Sequence, residues 1–340
     1  MLQVKVANHW VVAILFELTA VVAPIGTTRT VAAEILSQSV AEVTSDRTSA
    51  YDSVSQLSRD GRHFDALAAF LERENEVEVN LPDRLAAARS AWALGHAEQA
   101  RSIWDDILAD SLLFTKDPAT KYDVLLSRAI MELQERRYEE ARVFAEKGAG
   151  ELGPSDLRSQ FWLVIAESLA EQGIGSQAEK YYRLAIGDGS DGSSDEARYL
   201  LGICQQRAGK LDEARKQFAD IPLDSEFAPK ALRRLIEVDY AKRDYEALMT
   251  WLMEAKRSYP AVLEDAWSAY VEVKALVETD KLEEARNALA QFKKRYSEND
   301  RWFVIAEATL NAELVRAAYA ESPNGTATGM TPREATRSAK

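Results

Sequence analysis

The segment GKLDEARKQF, Gly209–Phe218, places an alanine five positions after a turn residue and an aromatic residue four positions beyond that alanine. Related segments occur six more times in the chain. Successive alanines recur at a spacing of about 33–41 residues, a period typical of stacked helical hairpins and not of a domain with one central core. The seven alanines are Ala66, Ala100, Ala141, Ala178, Ala214, Ala247 and Ala285.

Each segment has the features of a helix start. Asp212 and Glu213 stand near the positive N-terminal end of such a helix, and Phe218 shares a helix face with Ala214. Upstream of each turn lies a second amphipathic run, for example EARYLLGICQQRA at residues 196–208, with apolar residues at helical spacing. The pattern therefore predicts helix–turn–helix units that cross closely at the alanine and bury their apolar faces by stacking.

These residues resemble the tetratricopeptide repeat family. Its unit of about 34 residues has small residues where this chain has Gly202 and Ala214, and bulky residues where it has Leu201 and Phe218. The resemblance covers residues 47–295. It implies an all-α, right-handed α-solenoid of about seven units and some fifteen helices over residues 47–320, with Arg301–Tyr319 as a capping helix.

Two units depart from the pattern, and the composition supports the helical class. Ala145 and Leu289 stand where the family pattern places an aromatic residue. The chain is 46% hydrophobic with only 15 glycines and 9 prolines, which favours helices over a turn-rich β fold.

Residues 1–33 lie outside the repeats. Trp10–Pro24 is an apolar run interrupted by Glu17 and Thr19, and Val31-Ala32-Ala33 suits signal-peptidase cleavage. The run is short for a membrane span. Three interpretations stay open for residues 1–33: a cleaved signal peptide, an uncleaved membrane anchor, or an extra packed helix. Residues 34–46 are expected to be a linker, and residues 321–340 a disordered tail.

Charge and motifs exclude several function classes. The net charge is −13, and removing residues 1–33, which carry +1, leaves −14, so a nucleic-acid partner is not expected. Cys204 is the single cysteine, and His9, His63 and His96 are the only histidines. No metal, nucleotide or nucleophile motif occurs. We therefore expect a protein that is not an enzyme and has no cofactor or metal.

The resemblance also indicates a binding surface. In the family, the first helix of each unit lines a concave groove. Carried over residue by residue, that register predicts a groove for a protein or peptide partner, preferentially at the fifth to seventh units. Its residues are Arg89, Trp92, Gln134, Glu167, Glu171, Tyr199, Gln206, Arg207, Tyr240, Trp267, Tyr270 and Lys274.

The expected function is an exported adaptor or scaffold that binds a protein or peptide partner in a bacterial envelope complex, with a periplasmic or other extracytoplasmic location. The alternative is a structural subunit tethered to the inner membrane through residues 10–24 that associates with itself. A cytoplasmic cochaperone is disfavoured because the Lys, Arg and Asn pattern of chaperone-binding members is absent from the first helices. A toroid hydrolase is disfavoured because histidines are so few.

Overall fold

The computed structural model of the protein describes residues 53–74, 79–110 and 118–321. Over these ranges the chain forms fifteen α-helices and no β-strand, which confirms the all-α prediction and the expected number of helices. The predicted signal or anchor at residues 1–33, the linker at 34–46 and the tail from residue 322 lie outside the described residues, and the predictions about them stay predictions.

The helices pair as first and second helices of successive units. The first helices are α1 (Val54–Arg59), α3 (Leu81–Ala93), α5 (Pro118–Gln134), α7 (Asp156–Glu171), α9 (Asp191–Arg207), α11 (Ala228–Lys242) and α13 (Ala266–Glu278). The second helices are α2 (His63–Glu74), α4 (Ala97–Ala109), α6 (Tyr138–Glu151), α8 (Gly175–Asp188), α10 (Leu211–Ala219), α12 (Tyr245–Ser258) and α14 (Leu282–Arg295). A short 3-10 helix (Pro260–Leu263) precedes α13, and α15 (Arg301–Glu321) follows α14.

The chain divides into two compact units at Ile107 and Leu108, near the end of α4. In the first compact unit, α1 packs on α2 and α3, and α2 packs on α3. In the second unit every helix from α5 to α14 packs on its successor, and α5 contacts α7, α7 contacts α9, and α13 contacts α15. This pattern of nearest-neighbour contacts is that of a stacked hairpin array.

Seven turns share one backbone conformation. The turn residue after each first helix has a positive φ, between 59° and 80°. The N–H of the residue after it donates to the carbonyl five residues earlier at 2.8–2.9 Å, the Schellman arrangement that closes a helix. Three of the turns use residues other than glycine and still hold the same geometry. The turn residues are Gly61, Gly95, Arg136, Gly173, Gly209, Arg243 and Asp280.

Six of the seven repeat alanines are buried as predicted, and the seventh is a correction. Ala66, Ala100, Ala141, Ala178, Ala214 and Ala285 are fully buried. Ala247 is only partly buried, and Leu248 takes the buried position beside it. The reason is that Arg243, and not Lys242, is the left-handed residue of this turn, so the register moves by one.

Small residues on one helix admit aromatic rings from the next. A Cβ atom at Gly202 would stand 2.5 Å from the Phe218 ring, so no larger residue fits there without movement. A Cβ atom at Gly148 on α6 would stand 2.3 Å from the ring of Phe161 on α7. Phe161 thus fills space beside the helix that has Ala145 in place of an aromatic residue.

Two fully buried carboxylates tie neighbouring helices together. Asp239 on α11 accepts from Arg215 Nε of α10 at 2.8 Å and from Trp251 Nε1 of α12 at 2.9 Å. Glu132 on α5 pairs with Arg128 one turn before it and with Arg137 Nε at 3.3 Å. A buried carboxylate is tolerated only with such donors, because removing one partner leaves an uncompensated charge.

The corrected register makes different predictions for two of the repeat alanines. Ala214→Leu forces a branched side chain into a closed helix crossing and is expected to lower the free energy of unfolding by about 1–3 kcal/mol. Ala247→Leu adds the same side chain at a partly exposed position and is expected to stay within about 0.5 kcal/mol of wild type. Urea unfolding of both variants measures the difference. Equal destabilisation by the two substitutions would contradict the corrected register.

Candidate functional site

The predicted groove residues occupy one face of their own first helices. If the left-handed turn residue of each unit is position 0, they stand at positions −2, −3, −6, −10 and −13. Glu167 before Gly173 and Lys274 before Asp280, for example, both stand at position −6. Steps of three and four positions keep side chains on one side of a helix. The predicted residues of a given helix therefore share a side.

Arg89 and Trp92 belong to the first compact unit. Arg89 is exposed on α3. Trp92 is partly buried and meets Trp104 of α4 edge-on, with the ring centroids 5.7 Å apart. The other ten predicted residues belong to the second compact unit of the chain, which begins at Leu108. The first of them, Gln134, is exposed at the end of α5. We call the side of α5, α7, α9, α11 and α13 that carries these ten residues the first-helix face.

Four aromatic side chains on α11, α13 and α15 form a continuous row. The hydroxyls of Tyr240 on α11 and Tyr270 on α13 are 2.9 Å apart and hydrogen-bonded. Trp267 meets Tyr240 edge-on at 5.8 Å. Tyr270 stacks on Trp302 of α15 at 5.1 Å. We call these four residues the aromatic patch. Tyr270 is buried, whereas Tyr240, Trp267 and Trp302 each leave part of their surface exposed.

Cationic groups border the aromatic patch. The Arg233 guanidinium lies over the Trp267 ring at 4.3 Å and donates to Asp265 at 2.6 Å, which fixes it in place. Arg301 lies over Trp302 at 4.6 Å. Cation–π contacts of this kind hold rings in defined orientations. The patch is therefore a set of rings with restricted positions.

A second group of residues on the same face is acidic. Glu167 on α7 and Glu196 on α9 are both partly buried. Burial, with the neighbouring carboxylates of Glu196 and Glu171 acting in the same direction, raises the pKa of Glu167 to about 8. Burial also raises the pKa of Glu196 to about 7, with the Glu226 carboxylate adding to the effect and Lys230 opposing it. We call Glu167, Glu171 and Glu196 the acidic patch.

Tyr182 is on α8, which packs on both α7 and α9, the helices that carry the acidic patch. Its side chain is 3% exposed. Burial is the largest cause that raises the pKa of its hydroxyl well above the ordinary value, and the Glu167 carboxylate is the second. Glu171 acts in the same direction and Arg207 against it, so all three side chains are near the hydroxyl. Among the described residues, none forms a hydrogen bond with that hydroxyl.

The remaining predicted residues lie between or beside the two patches. Gln206 is partly exposed and Arg207 is exposed at the end of α9. Tyr199 is buried and packs its ring on Phe218 and Phe227, each at 5.8 Å. Lys274 pairs with Glu278 on α13 at 2.5 Å. Tyr199 and Tyr270 were predicted as groove residues, but both are buried, so they support the surface and the more exposed residues form it.

Sequence reasoning missed Glu196, Arg233 and Trp302. Glu196 stands at the same position before Gly209 as Trp267 does before Asp280, so the same register could have found it. Arg233 stands at position −10 before Arg243, but as part of the basic pair Arg233-Arg234 its sequence indicates only a solvated helix face. Trp302 is on α15, beyond the repeated turns, and no register counts to it.

A cavity of about 280 Å³ lies between α10, α11 and α12, with Phe218, Leu223, Leu232 and Trp251 in its wall. The cavity lies beside α10, which is shorter than the other second helices: α10 has nine residues, whereas α12 and α14 each have fourteen.

In the described parts of the chain, no cluster of three or more His, Cys, Asp or Glu side chains suits a metal ion. No helix in those parts has the length and apolarity needed to cross a bilayer.

Comparison with solved structures identifies the fold class as that of the tetratricopeptide repeat proteins. The apo form of RapI aligns with a TM-score of 0.54 and 12% identity, covering 90% of this chain and 90% of that one. The C-terminal part of a TPR repeat-containing protein from Cytophaga hutchinsonii aligns with a TM-score of 0.50 and 13% identity, covering 84% and 98%. No protein-family model and no curated protein matches the sequence. The sequence resemblance to tetratricopeptide repeats is confirmed at the level of fold.

The raised pKa of Glu167 makes stability depend on pH in a defined direction. In the unfolded chain, the Glu167 carboxyl group ionises above its ordinary pKa of 4.5. In the folded protein, it keeps its proton until about pH 8. Wild-type stability is therefore lost as pH rises from about 4.5 to 8. Glu167→Gln removes this loss, so the melting temperature of the variant should gain on wild type between pH 5 and pH 8.5.

Circular dichroism melts at the two pH values measure that gain. Glu246→Gln, at an exposed position on α12, is the control and should show no such gain. A difference between Glu167→Gln and wild type that is the same at both pH values would contradict the assignment.

Proposed function

We propose that the protein is a non-enzymatic adaptor whose first-helix face binds an extended protein or peptide segment. The observation that supports this most is the aromatic patch, because three partly exposed rings continue across α11, α13 and α15, joined by ring contacts. Tryptophan, tyrosine and arginine are the residues that most often dominate binding energy at protein interfaces. The first-helix face presents all three types together.

The fixed geometry of the patch also favours binding. Arg233 is held by Asp265 and by Ser268 Oγ at 2.6 Å, and it holds Trp267 in turn. The Tyr240–Tyr270 hydrogen bond joins the rings of adjacent units. Side chains that are already ordered lose less conformational entropy when a partner binds. The face is therefore suited to a partner that lies along several units.

Two glutamines allow a matched test of where the partner binds. Gln206 lies on the first-helix face of α9, and Gln217 lies on the second helix α10; both are partly exposed. Each is replaced in turn by the photo-crosslinking residue benzoylphenylalanine in cells that make the protein. Irradiation should give a partner adduct from the Gln206 position and little from Gln217, as resolved by gel shift and mass spectrometry. Adducts that form equally from both positions, or only from Gln217, would overturn the proposed site.

We also propose that the adaptor works outside the cytoplasm, in a bacterial envelope complex. The support is the apolar segment Trp10–Pro24 and the small residues Val31-Ala32-Ala33 that follow it. An acidic array without a metal or nucleotide motif fits a scaffold role in that compartment.

Export predicts a shortened protein. The mature chain should begin near Glu34 and fractionate outside the cytoplasm. N-terminal sequencing of the protein from fractionated cells measures this. Intact Met1 on membrane-bound protein would instead favour the tethered, self-associating subunit, and soluble intact protein in the cytoplasm would contradict both.

A further inference from the structure

We propose that the acidic patch binds one basic side chain, a lysine or an arginine, of the partner segment. This inference rests on the proposed function, since it names the chemistry of the ligand that the first-helix face receives. It assigns the two ends of the face different tasks: the acidic patch takes a cation, and the aromatic patch takes apolar groups.

The carboxylates of the acidic patch lack the cation that other buried or partly buried carboxylates of this unit have. Asp188 accepts from Arg158 Nε at 2.6 Å, Glu179 pairs with Lys210 at 2.5 Å, and Asp239 pairs with Arg215 at 2.8 Å. Among the described residues, none forms an ion pair or hydrogen bond with the carboxylate of Glu167 or Glu196. Without a counterion, the ionised form of a buried carboxyl group is disfavoured and the group keeps its proton instead. A cation from outside would supply the missing partner.

Tyr182 gives an independent indication of a ligand. Its side chain is buried, its hydroxyl lies near Glu167 and Glu171, and that hydroxyl has no hydrogen-bond partner among the described residues. The hydroxyl oxygen is not among the fully buried atoms that lack a partner, so it reaches the surface, where a ligand can contact it. An ammonium or guanidinium group between the carboxylates can donate to this oxygen as well. The ligand cation would thus meet two carboxylates and one hydroxyl.

The charges around Glu167 and Glu196 favour a cation as the ligand. The Glu171 carboxylate raises the pKa of Glu167 and the Glu226 carboxylate raises that of Glu196, whereas Lys230 lowers the pKa of Glu196 and Arg207 lowers that of Tyr182. The titratable and charged groups that surround the pair are Glu171 on α7, Tyr182 on α8, Cys204 and Arg207 on α9, Glu226 before α11, and Lys230 on α11.

Binding of a cation at this patch depends on pH. The pKa values of about 8 for Glu167 and about 7 for Glu196 mean that much of the pair is protonated at neutral pH. A bound cation requires the ionised forms. Binding therefore releases protons and strengthens as pH rises.

The test uses the purified full chain and a displayed library of random twelve-residue peptides as the probe. Wild type and the variant Glu167→Gln/Glu196→Gln are selected in parallel. The matched control is Glu213→Gln/Glu246→Gln, which removes two exposed carboxylates from the second helices α10 and α12. Circular dichroism verifies that each variant is folded, and Glu196→Gln alone serves as a milder second variant.

Wild type and the control should enrich peptides with lysine or arginine at one position, and the Glu167→Gln/Glu196→Gln variant should lose that preference. The best wild-type peptide should bind the variant at least tenfold more weakly. Replacing its basic residue by norleucine should have the same effect on wild type. Wild-type affinity should rise at least tenfold from pH 6 to pH 9, a dependence that a purely structural role of the two carboxylates would not produce.

Two results would overturn the inference while the proposed function survives. One is enrichment of apolar peptides without a basic position, with binding that depends on Trp267. The other is a basic preference that the glutamine substitutions leave unchanged. Failure of wild type to enrich any peptide would count against both the inference and the proposed peptide-binding function.

Discussion

The left-handed residue that ends each first helix sets the geometry of the protein. Together with its 6→1 hydrogen bond, it fixes where the second helix begins and which side chains of the two helices meet. The buried crossing residue always lies five positions after it, whether that residue is Ala214 or Leu248. The first-helix face is counted backward from the same point. Packing and binding surface therefore follow from one backbone conformation at each turn.

Much of the fold was predictable because the repeated residues carry a direct physical requirement. A close helix crossing needs a small side chain, and six of the seven alanines are buried for that reason. The exception shows the limit of this reasoning. In KRDYEAL neither Lys242 nor Arg243 is glycine, and a local sequence does not determine which of two basic residues adopts a positive φ. The packing of Leu248 against the rest of the core decides it.

The candidate site was predictable as a set of positions and not as a set of interactions. The register predicted Tyr240, Trp267 and Tyr270, but the hydrogen bond and ring contacts that join them depend on the distance between stacked units. Tyr270 also stacks on Trp302, which no repeat pattern predicts. Likewise, the shifted pKa of Glu167 arises from burial that the sequence of α7 alone does not show, and from a carboxylate on the next first helix, Glu196.

The buried ion pair of Asp239 has a consequence for the order of the units. Chains made of similar hairpins can mispair by docking a unit on the wrong neighbour, since the apolar faces are alike. Asp239 finds both its donors only if α10 lies on one side of α11 and α12 on the other. An arrangement that places another second helix where α10 belongs would bury this carboxylate without its Arg215 counterion, at a cost of about 3–5 kcal/mol. Asp239 therefore favours α10 as the neighbour of α11 during assembly of the array.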